Sequence, residues 1–288
     1  MFDVFIYLSD NALNFLIMPK YFSLIILFLL ASINTVQAQF GFSHEVGVIA
    51  GPVAFQSDYG VRHDFKTNSG NTGIGVGLVH YLNFSYRADC NCYTPETYFN
   101  DHFKLRSEIS YSKTKLNHFG EWVTPEKLAK SEDSRKLKAM EGSTAVTDIG
   151  MQIEFFPLSI RDFTATDGAF APFISLGGHF SFYNPEVFTT YGNGKLIEAN
   201  VFSPKYWDPS DGEAHGFTNN GGSVWSVVSS VGTRYKLTPL SDLMLDLRGQ
   251  YYFSNWVDGL NPNPAVYKEN KSNDWNIWLN FGYIYYLD

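Results

Sequence analysis

Phe103-Lys104-Leu105-Arg106-Ser107-Glu108-Ile109-Ser110-Tyr111-Ser112-Lys113-Thr114-Lys115 alternates along its length. Its odd positions include Phe103, Leu105, Ile109 and Tyr111, and its even ones are Lys104, Arg106, Glu108, Ser110, Ser112 and Thr114. Side chains separate in this way only on an extended chain, where successive Cβ atoms point to opposite faces; a helix would sort them with a period near 3.6. The segment is therefore a strand with one apolar and one polar face. Ala145 to Phe155 repeats the pattern, setting Ile149, Met151, Ile153 and Phe155 against Asp148, Gly150, Gln152 and Glu154. Leu243 to Phe253 repeats it again, with Leu243, Leu245, Leu247, Tyr251 and Phe253 opposing Met244, Asp246, Arg248, Gln250 and Tyr252.

Five further segments fit the alternation less strictly: Phe42 to Gly51, Gly73 to Phe84, Pro172 to Tyr183, Ser223 to Leu237 and Trp275 to Leu287. Each is long enough to cross a bilayer as a tilted strand, which takes about 9 to 11 residues. The spacers 52–72, 118–143, 184–222 and 254–274 are long, and 85–102, 157–169 and 238–242 are shorter. This alternation predicts an all-β fold: an eight-stranded antiparallel transmembrane β-barrel with short turns and both termini on one side and long extracellular loops on the other. An exported sandwich or lipocalin-like barrel would also use about eight strands. Aromatic residues near the segment ends favour the membrane, as interfacial girdles require: Phe40, Phe42, Phe84, Tyr86, Tyr183, Trp225, Tyr235, Trp256, Trp275, Tyr285 and Tyr286. The polar face carries five basic residues (Lys104, Arg106, Arg234, Lys236, Arg248) against four acidic ones (Glu108, Asp148, Glu154, Asp246), a balance suited to paired networks in a narrow lumen.

Upstream, Tyr21 to Ile33 is almost wholly apolar, with Lys20 before it and Val36-Gln37-Ala38 after it. A charged start, a short apolar run and small residues at the cleavage point describe a secretory signal over 1–38, with Met18 as the expected start and 39–288 as the mature barrel. Asp3, Asp10 and Pro19 interrupt the apolar length that a membrane anchor would need. Across the 288 residues, 21 Lys and Arg against 29 Asp and Glu leave a net charge of −8. No basic field exists to attract a phosphate backbone, and no nucleic acid is expected as a partner.

Three stretches carry a family resemblance: His44-Glu45-Val46-Gly47-Val48 with Gly51, Ala171-Pro172-Phe173-Ile174-Ser175-Leu176-Gly177-Gly178, and Trp256-Val257-Asp258-Gly259-Leu260-Asn261-Pro262. With the closing Asn280-Phe281-Gly282-Tyr283-Ile284-Tyr285-Tyr286-Leu287, the chain resembles the small outer-membrane β-barrel proteins of Bacteroidota, most closely an uncharacterised flavobacterial family. The resemblance implies residence in the cell outer membrane and insertion by barrel-assembly machinery that reads the last strand. This chain departs from the usual pattern by ending Leu287-Asp288 rather than on an aromatic. The resemblance supplies no catalytic residues.

Four constellations invite chemistry. Gly73-Ile74-Gly75-Val76-Gly77 lacks the third glycine and the helix of a dinucleotide fingerprint, because Leu78 follows and the alternation continues; a bare strand face against a crowded interior fits better. His179 and Ser181 suggest a lipid deacylase, yet Ile174, Leu176, Phe180 and Phe182 set the outward phase, which turns both into the lumen. Cys90-Asn91-Cys92 with Asp89 and His102 falls short of a four-ligand zinc spacing and reads first as two thiols or a local disulfide stiffening a turn. Asp208-Pro209-Ser210-Asp211-Gly212-Glu213 clusters carboxylates without EF-hand spacing and reads as a solvated turn, and Pro125 to Met140 as a short exposed helix. No catalytic, cofactor or metal residue is assigned and no cofactor is expected. The functional expectation is a non-enzymatic scaffold, not a diffusion pore, whose partners are outer-membrane lipid and a protein or glycan met by the loops. The alternatives are an outer-leaflet lipid-modifying enzyme and a small-ligand carrier whose lumen is cleared by Gly73, Gly75, Gly77, Gly150, Gly177 and Gly282. Export is expected to leave Gln39 as the first residue; the intact mass of the native protein checks this, and a mature form that keeps Tyr21 to Ile33 overturns the signal assignment.

Overall fold

The computed structural model describes residues 42–60, 70–84, 97–196 and 201–287. The expected signal segment and the Cys90/Cys92 pair lie outside the described residues. Eight strands close into one antiparallel barrel: β1 (Ser43–Gln56), β2 (Thr72–Asn83), β3 (Phe103–Asn117), β4 (Met140–Phe155), β5 (Phe170–Thr189), β6 (Gly222–Thr238), β7 (Ser241–Tyr252) and β8 (Trp275–Tyr286). Each pairs with its neighbour in sequence, and β8 returns to β1. Short helices sit in the connections: α1 (Tyr98–His102), α2 (Pro125–Lys130), α3 (Glu132–Ala139) and α4 (Ile160–Ala165). Among the described residues no helix is long and apolar enough to cross a membrane.

Following Cα partners once around the sheet leads from Val46 through His80, Ser107, Met151, Gly178, Val227, Tyr251 and Trp275 to Gln56. That is ten residues further along the same strand, and with a rise near 3.3 Å and a spacing near 4.8 Å it tilts the strands by about 40°. Each residue then climbs about 2.5 Å along the barrel axis. Placed on this frame, the outward aromatics fall into two rows. Phe103, Phe155, Phe170, Tyr235, Tyr283 and Tyr285 ring the end that carries the N-terminus of β1 and the C-terminus of β8, and Tyr111, Phe182, Trp225, Tyr251, Phe253 and Trp275 ring the other. Between them the wall is apolar and exposed, with Leu78 at 60% and Leu176 at 59%. This is the belt that a lipid-spanning barrel presents.

Several sequence expectations need correction. Tyr286 and Tyr183 do not join a girdle: Tyr286 turns inward and donates to Asp242 Oδ2 at 2.6 Å, and Tyr183 packs beside the interior cluster around Tyr252. Trp256 lies in a connection rather than on the wall. Three strands run further than the alternation indicated, β1 to Gln56, β4 from Met140 and β5 to Thr189. Their inward residues beyond the belt, Phe55, Met140, Val146 and Val187, stay covered by a second apolar cluster, so pairing continues where water would otherwise end it. The connection 57–71 is consequently shorter than 84–102, and the strict long–short alternation fails at the first pair. The single helix expected over Pro125 to Met140 is two, because Ser131 adopts an extended backbone and caps α3 by accepting from Ser134 N at 3.3 Å.

The β1–β8 ladder carries partners on either side of Gly51-Pro52 but none at those two residues, and Pro52 has no N–H to donate. On the same frame Leu245 and Ile153 stand about 5 Å from mid-height toward the terminal end, whereas Leu247 lies at mid-height. Leu247→Arg is expected to cost about 2 to 4 kcal/mol and Tyr285→Arg about 0 to 1, measured by denaturant-dependent folding into liposomes; equal costs contradict this frame.

Candidate functional site

The inward face is filled rather than hollow. Glycines leave room that large neighbours occupy: the indole of Trp278 lies against Gly75, His179 against Gly150, Gln152 against Gly177 and Met244 against Gly282. The cleared lumen expected for a ligand carrier is therefore closed by the side chains that these glycines admit.

Charged residues then cross the bore. Arg106 of β3 reaches Asp246 of β7 at 2.9 Å, and Arg248 of β7 grips Glu108 of β3 with both guanidinium nitrogens, at 2.7 and 2.5 Å. With eight strands, β3 and β7 stand opposite each other, so these bonds span the full diameter. Arg234 joins Glu45 at 2.6 Å and Glu154 at 3.3 Å, and Lys104 donates to Glu45 at 2.5 Å. Lys236 faces Asp242 at 3.4 Å. Arg234 also lies over the Tyr81 ring at 4.1 Å, and Lys236 over Tyr286 at 3.8 Å. Glu45 and Asp242 are members that the sequence reading missed. Each sits on an inward position of its strand, two residues from Gly47 and Met244, and the unbroken period of two was the signal that could have found them.

Beyond the ion pairs lies a layer held by neutral donors. Asp148 Oδ1 accepts from Ser181 Oγ at 2.5 Å and from Gln250 Nε2 at 2.8 Å, and Gln250 also donates to Ser226 Oγ at 2.9 Å. His179 and Ser181 are buried in the lumen, the phase expected of them. The structure does not join them: Ser181 donates its hydrogen bond to Asp148, while His179 Nε2 meets Gln152 at 3.4 Å. Among the described residues no group of three His, Cys, Asp or Glu is placed to hold a metal ion. His102, which sequence had set beside the cysteines, donates through Nδ1 to the Phe156 carbonyl at 2.6 Å.

Both ends are stoppered. At the terminal end, Phe156, just past β4, and Ile160 and Phe163 of α4 pack with Phe173, Tyr81 and Ile284. At the other end the connections fold into a cap whose core is Tyr59, Phe202, Tyr206, Val257 and Leu260 over Phe55 and Tyr252. Trp256-Val257-Asp258-Gly259-Leu260 forms its keystone. Gly259 takes φ 84°, a left-handed turn that few other residues adopt, and so drives Val257 and Leu260 inward. Asp258 accepts from the backbone N–H of Asp58 at 2.8 Å and of Leu260 at 2.7 Å, tying two connections together. The Asp208–Glu213 stretch is a tight turn in which Asp211 and Gly212 have φ 47° and 87°, and Asp211 accepts from Trp256 Nε1 at 3.3 Å.

No family model and no curated protein matches the chain. Solved structures that are similar include Neisserial surface protein A, at 12% identity and TM-score 0.39 over 84% of this chain and 96% of that one. Ail, the attachment invasion locus protein of Yersinia pestis, bound to the heparin analogue sucrose octasulfate, is similar at 12% identity and TM-score 0.36 over 85% and 99%. A major outer membrane protein from Thermus thermophilus is similar at 12% identity and TM-score 0.43 over 85% and 99%. The wall and bore define the class by themselves: apolar outside, ionic inside, closed in its hydrogen bonding. The chain is an eight-stranded transmembrane β-barrel protein.

The cap contains a buried histidine. His118 accepts from Gly60 N at 3.3 Å and lies against the Tyr59 ring at 4.8 Å. Burial, with Lys205 and Lys138 nearby, pushes its imidazole from 6.5 down to about 3. The unfolded cap takes up a proton below about pH 6.5 and the folded cap does not until about 3, so the cap's stability is full above that window and falls as pH drops through it. Hydrogen exchange over 254–262 is expected to speed up from pH 7 to pH 4.5, beyond the intrinsic change, and His118→Asn to remove that excess. An acid response unchanged in the variant contradicts the assignment.

Proposed function

We propose that this protein is a non-conducting scaffold of the outer membrane, oriented with the cap outside, which presents the cap to a protein or glycan partner. The observation that carries the reading is the pair of ionic bridges, Arg106–Asp246 and Arg248–Glu108, thrown across the bore between two apolar stoppers. An ion would have to break buried, charge-assisted pairs to pass, and breaking one such pair typically costs about 3 to 5 kcal/mol. Likeness in the quoted strand stretches to Bacteroidota barrels belongs to the same reading, as do export through the 1–38 signal and insertion by assembly machinery. The enzyme alternative gains nothing from geometry, since Ser181 and His179 face away from lipid and from each other's reactive atoms. Loops on a rigid scaffold are where recognition usually resides, and here they have a packed core that fixes their surface.

In planar bilayers the purified protein is expected to give no steady current, and replacing 208–214 by Gly-Gly is expected to abolish partner capture from cells while preserving heat-modifiable mobility. That replacement spares Phe202, Tyr206 and Phe217, on which the cap's packing rests. Steady conductance on the porin scale overturns the scaffold reading.

A further inference from the structure

Two lysines interrupt the outer wall just beyond the upper aromatic row, one outward position apart. Lys113 and Lys115 are both exposed, project from β3 on the same face as Tyr111, and stand one and two steps beyond that upper-row aromatic. Neither makes an ion pair among the described residues. Of the basic residues in the adjoining connection, Lys127 lies over the Trp122 ring at 3.8 Å, Lys136 meets Glu132 at 3.3 Å, and Lys138 donates to the His118 carbonyl at 3.2 Å. Among the described residues, Lys113 and Lys115 are the strand cations facing outward beside the belt. Glu141 and Glu186, the outward strand acids nearest to them, stand higher, and Glu186 accepts from Ser143 at 3.0 Å.

On the β4 side the neighbours of the pair are small, Ala145 beside Lys113 and Ser143 beside Lys115; on the β2 side Lys113 stands against the exposed Ile74. Directly below, the wall is indented by a shallow groove of about 740 Å³, lined by Ala50, Val76, Leu78, Ile109, Tyr111 and Thr147. The groove is apolar and crosses neighbouring strands at the level of Ala50, Val76, Tyr111 and Thr147, with Leu78 and Ile109 one outward position nearer mid-belt. Lysines at a membrane rim extend toward the head groups, where an anionic surface attracts them. Two cations at head-group height above a groove shaped for a hydrocarbon chain match one ligand in both parts.

We propose that Lys113, Lys115 and this groove form a binding site for a phosphate-bearing lipid of the outer leaflet. The phosphate lies between the two ammonium groups, and one acyl chain lies in the groove against Leu78 and Ile109. Assignment to the outer leaflet rests on the orientation proposed above; the lysine-and-groove geometry does not.

The test uses the purified, folded barrel in dodecyl maltoside with bisphosphorylated lipid A as the probe and native mass spectrometry as the readout. At about 1 kcal/mol per lysine, each loss lowers affinity about fivefold, so K113Q/K115Q is expected to bind about 20- to 30-fold more weakly. K113R/K115R is expected to retain binding, and unheated electrophoretic mobility verifies that each variant is folded. Enzymatically dephosphorylated lipid A is expected to bind wild type and the double Gln variant alike. Millimolar inorganic phosphate is expected not to displace the lipid. Binding by K113Q/K115Q within twofold of wild type, or undiminished binding of dephosphorylated lipid A to wild type, overturns the site; displacement by inorganic phosphate overturns the lipid assignment. Orientation is read separately. The Lys115→Cys variant, in a Cys90→Ser/Cys92→Ser background, is expected to react with a membrane-impermeant maleimide on intact cells. Labelling only after permeabilisation overturns the proposed orientation and leaflet while leaving the measured binding to stand.

Discussion

Arg106–Asp246 and Arg248–Glu108 span the barrel from wall to wall, and the rest of the molecule is arranged around what they require. Charges removed from water need partners with good geometry, or the desolvation penalty exceeds the attraction. Here the partners come from strands that are far apart in sequence and opposite in space, so the network forms only when the barrel has closed with the right stagger. Aromatic rings under Arg234, Arg248 and Lys236 add favourable faces where no further carboxylate fits. The apolar stoppers above and below keep bulk water from competing for these bonds. The glycines of β2 belong to the same arrangement, because a side chain at Gly75 would displace the Trp278 ring on which Arg248 rests.

Much of this was legible in the sequence. Strand number, antiparallel order and the inward phase of His179, Ser181, Arg106 and Arg248 follow from a period of two, which a strand obeys whether it faces lipid or water. Strand ends were not legible. Alternation fades where both faces become mixed, and β4 and β5 continue past the belt only because loop residues distant in sequence cover Met140 and Val187. The helix break at Ser131 depended on a capping hydroxyl within a run of evenly mixed charges.

The ionic bore was largely legible. Nine of its charged members stood out because they alternate with bulky apolar residues, whereas Glu45 was masked by the glycines and valines of β1 and Asp242 by the short turn before it. The cap was not legible, since Val257 and Leu260 in a polar connection carry no periodicity that announces burial. Their role comes from Gly259 and from Asp258 accepting the Asp58 amide, contacts between connections roughly 200 positions apart.

The gap at Gly51-Pro52 in the β1–β8 ladder bears on how the barrel assembles. Seven of the eight ladders join strands adjacent in sequence and can zip from a local turn, while the eighth must bring the two ends of the domain together against the largest loop entropy. That last seam also carries the gap at Gly51-Pro52. An open sheet would turn Glu45, Arg234 and Asp246 toward hydrocarbon and leave two unpaired edges in it, which lipid does not tolerate. Closure of that seam and burial of the charges are therefore a single event, and the half-made barrel has no resting place inside the membrane.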